Sequence, residues 1–194
     1  MKTWLNLPLT IVWLITVLIA AAPGQKPEPY VQLGPYYVTS LAYSPDSRVL
    51  AAANLDGVRL YDLAGGREVR SLRLYQVKSV AFSPDGKLIA AAGNNLASSA
   101  VRSSYSIKLW NAADGTVYRT LSGKSFDTGT NVEVRSIAFN PNGNLLAAAC
   151  VDSAIRIWDV SRDSEPQIIR TPSVNVTLTF SPDGKTLAIA TSDQ

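Results

Sequence analysis

From Val77 to Ser83 apolar residues alternate with polar or small ones, Pro84-Asp85-Gly86 interrupts, and Lys87 to Ala92 resumes as an apolar run. Alternation with period two is the signature of a half-buried strand. The interruption has turn chemistry. Proline presets φ at the first turn position, aspartate bonds its own neighbouring backbone, and glycine takes the left-handed conformation that closes the turn. The pattern predicts a β-hairpin, and the chain repeats it. Val38 to Ser47 carries Pro45 and Asp46, Val134 to Gly143 carries Pro141, Asn142 and Gly143, and Val174 to Gly184 carries Pro182, Asp183 and Gly184.

The turn residues set the period. Asp46 and Asp85 stand 39 residues apart, Asp85 and Asn142 57, and Asn142 and Asp183 41. Two of these spacings match the roughly 40–45 residues of a four-stranded repeat unit, which cannot bury its apolar face alone and must stack on its neighbours. Three hairpins are followed by a short alternating strand that ends in an aromatic residue and Asp or Asn: Tyr61-Asp62, Trp110-Asn111 and Trp158-Asp159.

With both signatures in place, the chain resembles the WD-repeat β-propeller family from about Tyr30 to Gln194. The resemblance implies an all-β fold, a partial β-propeller ring of four-stranded antiparallel blades, and the apolar run before it is expected to form an N-terminal helix. The expected blades span 38–72, 77–122, 134–170 and 174–194, the last incomplete. Residues 23–37 form a Pro-rich linker in which Tyr30 to Leu33 resembles a ring-closing strand. Propellers close with 4–8 blades, and an unpaired edge strand invites aggregation. The inventory therefore implies a fragment of a longer propeller, pairing with another chain, or a fourth blade completed in part by the N-terminal strand.

The family's Gly-His pair is absent, because the chain contains no histidine. In the family that histidine joins the turn aspartate and the strand-end tryptophan in a hydrogen-bonded network. Here Asp152 and Trp158 remain without it, which implies blades that are less tightly tied.

The long period contains two insertions, a serine-rich segment from Asn94 to Tyr105 and a connector from Gly123 to Glu133 that holds Phe126. Propeller insertions map to loops on one face, often the binding face. A tolerated surface loop is the plainer alternative.

Residues 1–22 are a separate object. Lys2 precedes a predominantly apolar run from Leu5 to Ala22 that ends in three alanines. This reads as a secretory signal peptide. An uncleaved membrane anchor is the alternative, since Pro23 follows the small-residue end directly and the run approaches spanning length. Either reading predicts a secreted or periplasmic protein, with membrane contact only through residues 5–22.

Composition narrows the chemistry. Lys and Arg number 18 against 15 Asp and Glu, a net charge of +3, and the basic residues are scattered singly, which argues against nucleic acid. The absence of histidine removes the commonest general base and metal ligand and excludes a Ser-His-Asp triad among these residues. Cys150, the single cysteine, reads as a small buried residue. Asp46, Asp56, Asp85, Asp114, Asp152 and Asp183 read as turn formers. Asn175-Val-Thr177 matches a glycosylation acceptor but lies within a predicted strand. No catalytic, cofactor or metal site is expected. The expected function is a non-catalytic scaffold for protein partners, with specificity carried by loops. The alternative is the propeller portion of a larger envelope enzyme or transport-associated protein.

Overall fold

The computed structural model describes residues 37–94, 104–124 and 132–192. The apolar segment 1–22, the linker and closing strand, Phe126 and most of both insertions lie outside the described residues. Among those residues every regular element is a strand.

Each hairpin pattern opens an antiparallel sheet. The first sheet holds β1 (Ser40–Tyr43), β2 (Val49–Asn54), β3 (Gly57–Asp62) and β4 (Arg67–Arg73) in chain order. The second repeats this order with β5 (Tyr75–Phe82), β6 (Leu88–Asn94), β7 (Ser104–Asn111) and β8 (Val117–Lys124). The third holds β9 (Val134–Phe139), β10 (Leu145–Cys150), β11 (Ala154–Asp159) and β12 (Gln167–Arg170). Among the described residues the fourth contains β13 (Val174–Phe180) and β14 (Leu187–Ser192).

The register follows from the alternation. In the second sheet Val80 lies opposite Ala91 and Ala90 opposite Leu109, so each face of the sheet collects one parity of residues. The second strands carry an unusual feature, Ala51-Ala52-Ala53, Ala90-Ala91-Ala92 and Ala147-Ala148-Ala149. All nine alanines are buried, and in the second and third sheets the triplets pack on both faces, where small side chains let the layers approach.

The faces alternate strictly. Ala51 and Ala53 pack with Ile89, Ala91 and Trp110 between the first two sheets. Ala90 and Ala92 pack with Ala148, Cys150 and Trp158 between the second and third. Ala147, Ala149 and Ile155 meet Leu178 between the third and fourth. Successive sheets thus stack face to face, an arrangement consistent with part of a propeller ring.

The first strands are joined by a repeated bond. Ser40 Oγ accepts the Val80 N–H at 3.2 Å, Ser79 Oγ accepts the Ile137 N–H at 3.1 Å, and Ser136 Oγ accepts the Leu178 N–H at 3.4 Å. Each serine stands four residues before the Ser or Asn that opens its own turn.

Candidate interaction surface

The turn between first and second strands is one device built three times. In the first sheet the Ser44 hydroxyl donates to Asp46 Oδ1 at 2.6 Å and accepts the Val49 N–H at 2.9 Å, while Asp46 Oδ1 also accepts the Arg48 N–H at 3.1 Å. Ser83 with Asp85, and Ser181 with Asp183, reproduce the same three contacts. The serine hydroxyl first, and the backbone N–H second, hold the carboxyls of Asp46, Asp85 and Asp183 below the ordinary carboxylate value. In the third turn Asn140 takes the serine's place. Its Oδ1 accepts the Leu145 N–H at 2.9 Å and its Nδ2 donates to Asn144. Asn142 sits at the aspartate's turn position there.

Gly86, Gly143 and Gly184 close their turns with φ of 72°, 74° and 71°, and Ser47 does so at 58°. Each glycine also lies against the proline of the preceding turn. A Cβ on Gly86 would stand 3.6 Å from Pro45 Cδ, and one on Gly143 or Gly184 would stand 3.3 Å from Pro84 or Pro141. Pro182 occupies the same place in the last turn.

The turns after Tyr61, Trp110 and Trp158 are at the same end of each sheet, because the strands are antiparallel. The three rings are buried. The polar residue that follows each ring anchors its turn: Asp62 accepts the Gly65 N–H at 2.7 Å, Asn111 donates to Thr116 at 2.7 Å, and Asp159 accepts the Ser161 N–H at 2.9 Å. Arginines one sheet back clamp two of these turns. Arg70 donates to the carbonyls of Ala112 and Ala113, both at 3.0 Å. Arg119, nine residues beyond Trp110 as Arg70 is beyond Tyr61, donates to the carbonyls of Asp159, Val160 and Arg162 and pairs with Asp163 at 2.7 Å. Between the first two sheets this turn face opens into a cleft of about 780 Å³, floored by Leu60, Phe82 and Ile89. Asp46, Asp85, Gly86 and Asn111 line it, whereas Trp110 is buried beneath.

Asp152 is in a different environment. Its side chain and that of Arg156 are nearly inaccessible, and the two are joined by bonds of 2.6 and 2.9 Å. The Arg156 guanidinium lies 5.1 Å from the Tyr105 ring centroid, and Tyr105 meets Trp158 edge-on at 6.0 Å. Burial disfavours the charged guanidinium, but the bonded Asp152 carboxylate together with Cys150 and Tyr105 outweighs it and raises the pKa of Arg156. Without histidine, Asp152 pairs instead with Arg156, whose guanidinium reaches the Tyr105 ring of the preceding sheet. Sequence reasoning passed over Arg156, the inner-strand serines and the two clamping arginines. The serines and clamps had a signal, a fixed offset from the turn or the aromatic residue. Arg156 had none, since Arg59 and Lys108 hold the same position.

Cys150 is buried, and burial pushes its thiol up to about 11. Asn175 is fully buried with its Nδ2 on the Cys150 carbonyl at 3.3 Å. Among the described residues no three acidic, histidine or cysteine side chains converge as metal ligands.

Stacked four-stranded antiparallel sheets with a recurrent turn and a buried aromatic strand end define a blade-repeat β protein. The family model for the WD domain, G-beta repeat, matches residues 29–62, 66–111 and 113–159, which is more than half of the chain. The chain belongs to the WD-repeat family. It is 34% identical over 93 residues to Periodic tryptophan protein 2 homolog of Schizosaccharomyces pombe, covering 47% of this chain and 10% of that protein. It is 29% identical over 158 residues to Periodic tryptophan protein 2 of Arabidopsis thaliana, covering 80% and 16%. Also over 158 residues, it is 28% identical to U3 small nucleolar RNA-associated protein 21 homolog of Schizosaccharomyces pombe, covering 81% and 16%. The chain thus spans between a tenth and a sixth of the length of these relatives.

These relatives correct one expectation. A signal peptide and a secreted, periplasmic or membrane-anchored location were expected from Lys2, the apolar run Leu5 to Ala22 and its three-alanine end. A relative matched across four-fifths of the chain is named for association with a nucleolar RNA, a setting at odds with export. Nothing in these matches supports the envelope enzyme or transport protein.

Proposed function

We propose that this chain is a non-catalytic scaffold that holds protein partners within a nuclear ribonucleoprotein assembly. The observation that carries the reading is the match of three WD repeats to a stack of four-stranded sheets whose turn face is stiffened by repeated side-chain bonds. Such a stack offers a fixed surface at little ordering cost on binding. The nuclear setting extends to this chain what one relative's name says of that protein. Scattered basic residues favour contact with the assembly's proteins over its RNA.

In this reading the repeat residues, from Pro45 and Asp46 through Trp158 and Asp159 to Asp183 and Gly184, shape the surface and perform no chemistry. The sheets are successive blades of a propeller. Affinity capture with the tagged full-length chain from nuclear extract, with and without ribonuclease, tests it. The same proteins are retained after ribonuclease treatment if the reading holds. Loss of every captured protein on RNA digestion overturns it.

A further inference from the structure

Asn142 stands where the sister turns carry aspartate, but its side chain is held differently. Asp85 Oδ1 takes the Ser83 hydroxyl and the Lys87 N–H, and Asp183 Oδ1 takes the Ser181 hydroxyl and the Lys185 N–H. In the third turn Asn140 replaces the serine and spends its own amide on the Leu145 N–H and on Asn144. Among the described residues none bonds the Asn142 side chain, which is exposed. Of the chain's asparagines, it alone precedes a glycine.

That pair has a chemistry of its own. The Asn142 amide carbon Cγ is an electrophile with ammonia as its leaving group, and the Gly143 backbone nitrogen is placed by the chain to close a five-membered ring with it. A tethered nucleophile makes the step unimolecular, and glycine has no Cβ to crowd the approach. The sister turns lack this reactivity. The serine hydroxyl and the backbone N–H hold the Asp85 and Asp183 carboxyls ionised, and an anionic carboxylate resists a nucleophile. One bond must break first, since the Gly143 N–H is donated to the Asn140 carbonyl at 2.9 Å. Pro141, Asn142 and Asn144 are all exposed, so the tip can open locally without unfolding the sheet.

We propose that Asn142-Gly143 is a self-modification site on the turn face, singled out among the turns because its amide is unheld. The Gly143 nitrogen bonds to Asn142 Cγ, the Cγ–Nδ2 bond breaks, and the proton from the attacking nitrogen leaves on ammonia. Water then opens the cyclic imide. Breaking the N–Cγ bond gives aspartate, and breaking the bond to the main-chain carbonyl carbon gives isoaspartate. Either product charges a turn that is neutral from Asn140 to Asn144. Isoaspartate also lengthens the main chain by one methylene and moves Gly143 from its place against Pro84.

The test is to incubate the folded full-length chain at neutral and at mildly alkaline pH, then digest it and analyse the peptides by chromatography and mass spectrometry. The peptide holding residue 142 is expected to gain the mass of OH in place of NH2 and to split into two isomers, one of them a substrate for isoaspartyl methyltransferase. The rate should rise with pH, and Asn111 and Asn144 should stay intact. Asn142→Gln should abolish the change. Asp85→Asn creates the same dipeptide in a turn where Ser83 holds the side chain, and position 85 should react at least about tenfold more slowly than position 142, a barrier difference of about 1.4 kcal/mol. An intact residue 142 in the folded chain beside a modified one in the urea-unfolded chain overturns the proposal. So does a single product without its isomer, or equal rates at 85 and 142.

Discussion

Gly143 lies directly against the ring of Pro84, one turn earlier in the stack, so close that a Cβ at 143 would stand 3.3 Å from Pro84 Cδ. Glycine is needed here twice over, for a φ of 74° and for the approach of the neighbouring turn. Gly143→Ala should lower stability by about 1–2 kcal/mol. Ser47 adopts the same conformation at φ 58° without being glycine, so Ser47→Gly should move the urea midpoint the other way, by up to about 1 kcal/mol. Equal and same-signed shifts for the two variants would refute this account.

The Asp152–Arg156 pair predicts an asymmetry. Replacing Asp152 by alanine leaves a guanidinium buried without its carboxylate, at a cost of about 3–5 kcal/mol. Replacing both together, as Asp152→Leu with Arg156→Met, should recover most of that loss, because the double change removes the desolvated charge along with its partner. Denaturation midpoints of the single and double variants decide between this and a purely additive loss.

Asn175 holds the repeat position of Val77 and Val134, both buried. Its Oδ1 is buried without a hydrogen-bond partner. Asn175→Val should therefore stabilise the chain by about 1 kcal/mol, the unmet polar atom outweighing the single bond to the Cys150 carbonyl. The inner-strand serines should behave oppositely. Ser79→Ala strands the Ile137 N–H and should cost about 1–2 kcal/mol. Thermal melts of the two variants, run side by side, should shift in opposite directions.

The turn aspartates set an acid limit. The carboxyls of Asp46, Asp85 and Asp183 titrate below their ordinary value of 3.8 in the folded chain. A depressed folded pKa gives stability that is complete above the unfolded value and is lost as pH falls through the folded one. Urea midpoints should be insensitive to these groups between pH 7 and 5 and should fall below about pH 4. An Asp46→Asn, Asp85→Asn, Asp183→Asn variant should show a shallower decline from pH 7 to 3; an unchanged slope would count against the assignment. In the same folded chain Cys150, pushed up to about 11, should resist thiol reagents at pH 8 and react only on unfolding.

The strands were legible because turn and alternation carry their own physics: Pro, Asp and Gly in sequence force a reversal wherever they fall. What lay beyond local reading were the bonds between sheets. Ser79 looks like any polar residue on a strand until Ile137, which lies in the next repeat, is brought beside it. Arg70 and Arg119 look like solvated charges on outer strands, and only the stack shows the carbonyls they reach. Arg156 is the extreme case. Its counterparts Arg59 and Lys108 share the position, and nothing short of tertiary structure distinguishes the one that is buried against Asp152.

The alanine triplets carry a last consequence. Ala90 and Ala91 are chemical neighbours, yet Ala90 belongs to the packing with the third sheet and Ala91 to the packing with the first. A one-residue step along the chain therefore switches allegiance from one seam to the other. Enlarging Ala90 would loosen the stack downstream and enlarging Ala91 would loosen it upstream, so this triplet, like Ala147-Ala148-Ala149, gives separate genetic control of two mechanical joints. A scaffold built this way can have one joint softened while the adjoining one keeps its grip.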